Sequence, residues 1–200
     1  MAVAAWLYER SESEVIYFLL EERSMQRALE NLLPLIIPGE SYEIRSHNGK
    51  EDLQLAIRKV VPTLSRQPGV IIVILHDQNS HNCLELKNKL KVLSERADCE
   101  VLIRIVCKEL EAWFLGDMAA IEQAYPRFRA AKFQNRKRFR NTDEIKKPSE
   151  HLRRIVPELK RYDILSKLDA AERISACMNV RNNRSKSFNH FVTGLKKIVS

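Results

Sequence analysis

The chain reads as an α/β protein, a doubly wound and mainly parallel sheet followed by a basic helical appendage. Three observations predict this. Apolar, β-branched runs alternate with stretches of helical spacing as far as about residue 124. The run Val70-Ile71-Ile72-Val73-Ile74-Leu75 is apolar throughout, as a strand covered on both faces requires. Beyond Pro126 the strand signal fades while the density of Lys and Arg rises.

The first predicted strand is Val15-Ile16-Tyr17-Phe18-Leu19-Leu20, which stops at Glu21-Glu22-Arg23-Ser24. Ser24 is then a candidate cap for a helix with Met25, Ala28, Leu29, Leu32 and Leu33 on one face, ended by Pro34 and Pro38-Gly39. A second strand over residues 42–45 leads to the turn His47-Asn48-Gly49-Lys50. Leu53, Ala56, Ile57, Val60 and Val61 mark the next helix, closed near Pro62. The strand at 70–75 ends in His76-Asp77-Gln78-Asn79, and a helix over 83–96 follows with Leu84, Leu86, Leu90 and Leu93 as apolar members. Residues 101–106 form the fourth strand, and Lys108 to Trp113 open another helix. Further helices are predicted over 149–159, 169–178 and 187–198, the last capped by Ser187.

This pattern divides the chain into an N-terminal extension (1–14), an α/β domain (15–126) and a basic helical region (127–200) that packs on it. The last of these is short for an independent fold. No apolar run approaches the length of a membrane span, and the N-terminus lacks the basic and apolar regions of a signal peptide. Cys83, Cys99, Cys107 and Cys177 form no CxxC pair, so the sequence predicts a cytoplasmic protein with reduced thiols. His81 and Cys83 lack a second ligand pair at zinc spacing.

The formal charge is +8, unevenly spread. Residues 1–100 hold 12 Lys/Arg against 15 Asp/Glu, and residues 101–200 hold 22 against 11. Such asymmetry favours a polyanionic partner, since each Lys or Arg set against a phosphate releases condensed counterions; the alternative is a solvated basic face or an acidic protein partner. Arg136, Lys137, Arg138 and Arg140 lie in the densest stretch, and Arg184 and Lys186 belong to a second donor cluster with Arg181, Asn183, Ser185 and Ser187. The alternative for this second cluster is helix capping and a solvated turn. Phe128, Phe133 and Phe139 interleave with the first group, either as core residues or as platforms for bases of a single strand.

Ligands of open α/β sheets bind at the carboxyl ends of the strands. Glu21 and Asp77 both follow apolar strands at that edge, although 56 positions separate them. Two carboxylates there suit Mg²⁺ or Mn²⁺, which keep waters and bridge to phosphates. Glu109 and Glu111 follow the fourth strand; two apart on a helix, they point away from each other, so one at most faces such a site.

In this order the motifs resemble the Toprim fold of topoisomerases, primases and nucleases. They resemble more closely a Toprim-like bacterial family of unknown function, encoded beside AAA or ABC-type ATPases in phage-defence loci. The matching stretches are Leu20-Glu21-Glu22-Arg23-Ser24-Met25, Gly49-Lys50-Glu51-Asp52-Leu53, the segment from Asp77 to Cys83, the segment from Glu109 to Asp117, Ala124-Tyr125-Pro126 and Asn183 to Phe188. The resemblance implies that Glu21 is the acid or base of the site and that Asp77, with Asn79, Glu109 or Glu111, holds the metal. Glu9 offers an alternative frame after residues 3–7, but the Gly49-Lys50 spacing favours Glu21. The family usually has aspartates where Asn79 and Asn82 stand. Asparagine supplies a carbonyl oxygen without charge, which implies weaker cation binding. Drift, a degenerate site and deliberate silencing are three open explanations.

Two functions therefore follow as expectations. The first is a Mg²⁺- or Mn²⁺-dependent nuclease, cutting DNA or RNA as the effector of an ATPase-controlled defence complex. The second is a non-catalytic subunit that docks an ATPase or nucleic acid. A small-molecule phosphotransferase is disfavoured, because no Gly-rich phosphate loop is present.

Overall fold

The computed structural model describes residues 14–160 and 164–200, with only the backbone at 164 and 165. The proposed extension, including Glu9, lies outside the described residues apart from Glu14. Four strands, β1 (Val15–Leu20), β2 (Ser41–Ser46), β3 (Val70–Asp77) and β4 (Val101–Val106), form one sheet in the order β2-β1-β3-β4. All three strand pairings are parallel. The helices are α1 (Arg23–Ile36), α2 (Lys50–Leu64), α3 (Cys83–Leu93), α4 (Glu111–Leu115), α5 (Met118–Ala124), α6 (Pro148–Ile155), α7 (Ile164–Ser175) and α8 (Lys186–Ile198). No helix among the described residues is long and apolar enough to cross a membrane.

Side-chain alternation along the two inner strands builds a core on each face. Phe18 and Leu20 of β1, with Val73 and Leu75 of β3, meet α1, α4, α5 and α8. Tyr17, Leu19, Ile72 and Ile74 point the other way, onto Leu53, Ile57 and Val61 of α2 and Leu86 and Leu90 of α3. Double coverage is why β1 and β3 are apolar as far as Leu20 and Leu75, whereas the edge strand β2 alternates exposed and half-buried residues. The basic helical region supplies much of the first core: Phe188, Phe191 and Leu195 of α8 and Ala170, Ala171 and Ile174 of α7 are buried there.

Because α1 lies on one face and α2 and α3 on the other, the winding direction reverses between β1 and β3. That reversal leaves a crevice at the carboxyl ends of these two strands, the usual place for a ligand in this architecture.

Several local expectations differ from the structure. Pro34 and Pro62 lie inside α1 and α2 near their C-terminal ends, and each helix runs two residues further before it stops. Glu22, not Ser24, occupies the N-cap position of α1, and the Ser24 hydroxyl donates back to the Glu22 carboxylate at 3.2 Å. Helix α3 stops at Leu93, and Leu84 is 68% exposed, so it is not a core position. Ser185 caps α8 by accepting from Phe188 N–H at 3.1 Å, two residues before the expected Ser187.

Candidate functional site

At the carboxyl edge, Glu21 and Asp77 come together as the chain order predicts. Gly49 N–H donates to the Glu21 carbonyl at 3.0 Å, so the turn that opens α2 clamps the residue after β1. Gly49 has φ 94°, a conformation that disfavours any side chain, which explains glycine at this position. The Glu21 carboxylate then reaches β3, where its Oε2 accepts Asp77 N–H at 3.0 Å and lies 2.8 Å from His76 Nδ1. His76 is fully buried, and its Nε2 is 3.2 Å from the amide nitrogen of Gln54 on α2. Nδ1 also lies 2.7 Å from the Asp77 carbonyl, so a proton on Nδ1 is shared between that oxygen and Glu21, while Nε2 accepts from Gln54.

Strand alternation sends His76 toward α2 and Asp77 toward the opposite face, near Glu22 and Glu111. Asp77 is 5% exposed, and its Oδ1 has no hydrogen-bond partner among the described residues. Burial pushes its carboxyl well above the usual carboxylate range, and Glu21, Glu111 and Glu22 push in the same direction. Lys167 of α7 opposes them. Its ammonium pairs with the Glu22 carboxylate; burial pulls the ammonium down, but Glu111, Glu22 and Asp77 outweigh that and leave it raised.

Of the two later acids, Glu111 is the one that faces this cluster, buried in the first turn of α4. Glu109 turns away and accepts Ser149 N–H at 2.8 Å, holding the start of α6. Asn79 is exposed in a left-handed turn (φ 51°), its N–H donating to the Lys108 carbonyl at 2.7 Å. Asn82 has a local duty: its Oδ1 accepts Leu84 and Glu85 N–H and caps α3. Glu111 is legible from spacing as one of two choices. His76 and Lys167 are not: a histidine ending an apolar strand gives no sign of its partners, and Lys167 arrives from a helix distant in sequence.

A hard divalent cation fits the donor chemistry here. Asp77 offers a buried oxygen with no hydrogen-bond partner among the described residues, and the carboxylates of Glu21, Glu111 and Glu22 lie near it. Among the described residues, no three His, Cys, Asp or Glu side chains already converge as a ligand cluster. The fit therefore rests on charge and on the orphaned oxygen.

The basic stretch forms a hollow of about 980 Å³ lined by Arg136, Lys137, Arg138, Arg140 and Lys146, with His151 at its side. Burial, then Arg154 and Arg138, pull the His151 imidazole below its usual range. Phe128 and Phe139 are buried core residues, and Phe128 stacks on Phe133 at 5.3 Å. The Arg184 guanidinium donates to the carbonyls of Gln134 and Phe139, tying this stretch to the α8 approach. The second donor cluster is likewise engaged within the fold. Asp143 accepts Ser187 N–H at 2.7 Å and the Ser185 hydroxyl at 2.6 Å, so a carboxylate already fills the start of α8. Lys186 lines a separate hollow on the β4 side.

Against known families, the model described as "Domain of unknown function (DUF4276)" matches residues 20–196. Comparison with curated proteins and with solved structures gives no match.

Proposed function

The chain belongs to the DUF4276 family, a domain of unknown function, so its own geometry has to carry the reading, and from it we propose a Toprim-like, Mg²⁺- or Mn²⁺-dependent nuclease. The observation that carries this is the unpartnered Asp77 Oδ1, buried among Glu21, Glu22 and Glu111 at the crevice between β1 and β3. Asp77 and Glu111 would hold the cation. When bound, it polarises a phosphoryl oxygen and lowers the pKa of a coordinated water. Glu21, fixed through Oε2, has Oε1 left to accept a proton from the attacking water. Lys167 brings a positive charge to the same place, suited to a phosphate oxygen. The basic hollow around Arg136, Arg138 and Arg140 supports nucleic acid as the polymer.

The purified chain is expected to cleave nucleic acid in Mg²⁺ or Mn²⁺, and Asp77→Ala to abolish cleavage. Cleavage that survives Asp77→Ala combined with Glu21→Ala overturns the assignment. The resemblance to defence-locus proteins adds an AAA or ABC-type ATPase as the controlling partner, so the assay is run with the chain alone and with the ATPase encoded beside it.

A second reading, a non-catalytic subunit that binds an ATPase or nucleic acid, is favoured by one observation. Lys167 already supplies a cation at the acidic cluster, and Asn79 adds no charge to it. A protein that binds nucleic acid, takes up no Mn²⁺ and cleaves nothing would establish that reading.

A further inference from the structure

Resting on the nucleic-acid reading above, we infer that the basic surface is built to hold a duplex and not a single strand. The hollow around Arg136 and Arg140 is one part of a longer track. It shares Asn141 with a second hollow of about 560 Å³, lined by Lys87 of α3, Arg104 of β4 and Lys186 of α8. It shares Lys146 with a third, of about 420 Å³, which contains Lys108 and Asn79. Cations from α3, from β4 and the loop after it, from residues 136–146 and from α8 thus line adjoining hollows from β4 to the loop two residues beyond Asp77. They outnumber one carboxylate in each of the first two hollows (Glu144, Asp143) and Glu109 in the third.

Arg104 is a fixed point on this track. It makes no ion pair among the described residues, and its Nε and Nη1 donate to the carbonyls of His190 and Ile103, each at 3.1 Å. Gly194 of α8 makes room for it: a Cβ there would stand 1.9 Å from Nη2. A glycine inside a helix destabilises it relative to alanine. That cost goes with seating a cation that has no carboxylate partner.

Most rings near the track are turned inward, and Phe133 is half-buried. Phe128 and Phe139 are each 1% exposed, Phe133 packs against both, and the Arg136 guanidinium covers Phe133 at 4.8 Å. Trp113 is fully buried, stacked on Phe191. Among the described residues, no Phe, Tyr or Trp lines any of the three hollows. Single-strand binders combine a basic groove with aromatic faces on which successive bases stack. This track offers charge without faces, which suits a polymer that keeps its bases stacked inside and presents two rows of phosphates.

The test uses the full chain in EDTA, with anisotropy as readout, on one sequence as single strand, DNA duplex and RNA duplex, each about 20 nucleotides long. One duplex is expected to bind about tenfold tighter than either single strand, and which duplex does so identifies the polymer. Lys87→Ala with Arg104→Gln should weaken duplex binding and reduce the salt slope by about 1–2, with Arg104→Lys restoring part of it. Lys87→Ala alone, remote from the core, keeps the test valid if the double variant fails to fold. Equal or tighter single-strand binding, or variants that leave duplex affinity and slope unchanged, overturns the inference while leaving a nuclease possible. A wild-type chain that binds none of the polymers removes both.

Discussion

His76 Nδ1 lies 2.8 Å from Glu21 Oε2, joining the ends of β3 and β1 across the point where the sheet reverses its winding. Both side chains are buried, so the bond is shielded from water and its loss leaves a carboxylate short of a donor. His76→Leu is expected to cost about 1.5–3 kcal/mol in urea unfolding, the range for a hydrogen bond to a charged group. His76→Asn, whose amide nitrogen can replace Nδ1, should recover part of this. Equal stability of the Leu variant and wild type would show that the contact contributes nothing.

Asp77 gives stability a distinct pH dependence. Burial first, and then Glu21 and Glu111, raise its carboxyl well above the unfolded value of about 3.9. Between the two values the folded state binds more protons than the unfolded state. The stability that the proton confers is therefore complete below about pH 4 and is lost as pH rises through the folded value. In EDTA, Asp77→Asn should flatten this decline and add about 1–3 kcal/mol at neutral pH, the cost of a buried group without its partner. Thermal unfolding across pH, wild type against variant, reads this directly.

A cation at Asp77 has to compete with that proton. Mn²⁺ affinity should therefore rise with pH over the interval in which metal-free stability falls, and binding should release protons. Calorimetry in buffers of different ionisation heat measures the release. Affinity independent of pH would place the ion elsewhere.

The two asparagines should behave differently when changed to aspartate. Asn79 is exposed at a left-handed position that aspartate also tolerates, and its amide lies 3.5 Å from the Asp77 carbonyl. Asn79→Asp is expected to tighten Mn²⁺ binding about tenfold, roughly 1.4 kcal/mol. Asn82 caps α3, and aspartate does so equally well, so Asn82→Asp should leave Mn²⁺ affinity unchanged. Manganese paramagnetic resonance on the two variants separates these outcomes.

Gly116 ends α4 against the turn that leads into α8. A Cβ there would stand 2.0 Å from Asn183 Oδ1 and 2.9 Å from the Ser185 backbone nitrogen. Asn183 is itself held by donating to the Trp113 carbonyl at 2.9 Å. Because backbone must shift, Gly116→Ala should cost about 1–3 kcal/mol in chemical denaturation. Gly194→Ala meets only the end of the Arg104 side chain and no backbone, and should cost less.

Much of the architecture was legible because its signals are local. Continuous β-branched runs marked the strands covered on both faces, and acids at the ends of the β1 and β3 runs marked the carboxyl edge of the sheet. Helix ends were less legible, since a proline in the last turn of α1 or α2 does not stop a helix that packing holds. The donor cluster at 181–187 looked open to phosphate in sequence only because Asp143, its partner, lies about forty positions away.

By itself, the sequence determined the strand and helix alternation, the pairing of Glu21 with Asp77 at one edge and the concentration of positive charge after residue 126. Each depends on periodicity or on composition, which a linear string carries. Only the tertiary structure decided that His76 straps Glu21, that Glu111 and not Glu109 faces the acids, that Lys167 joins them, and that Phe128 and Phe139 among the arginines are core while Phe133 is half-buried. Those outcomes depend on which helix covers which face of the sheet, and so on contacts between residues far apart in the chain.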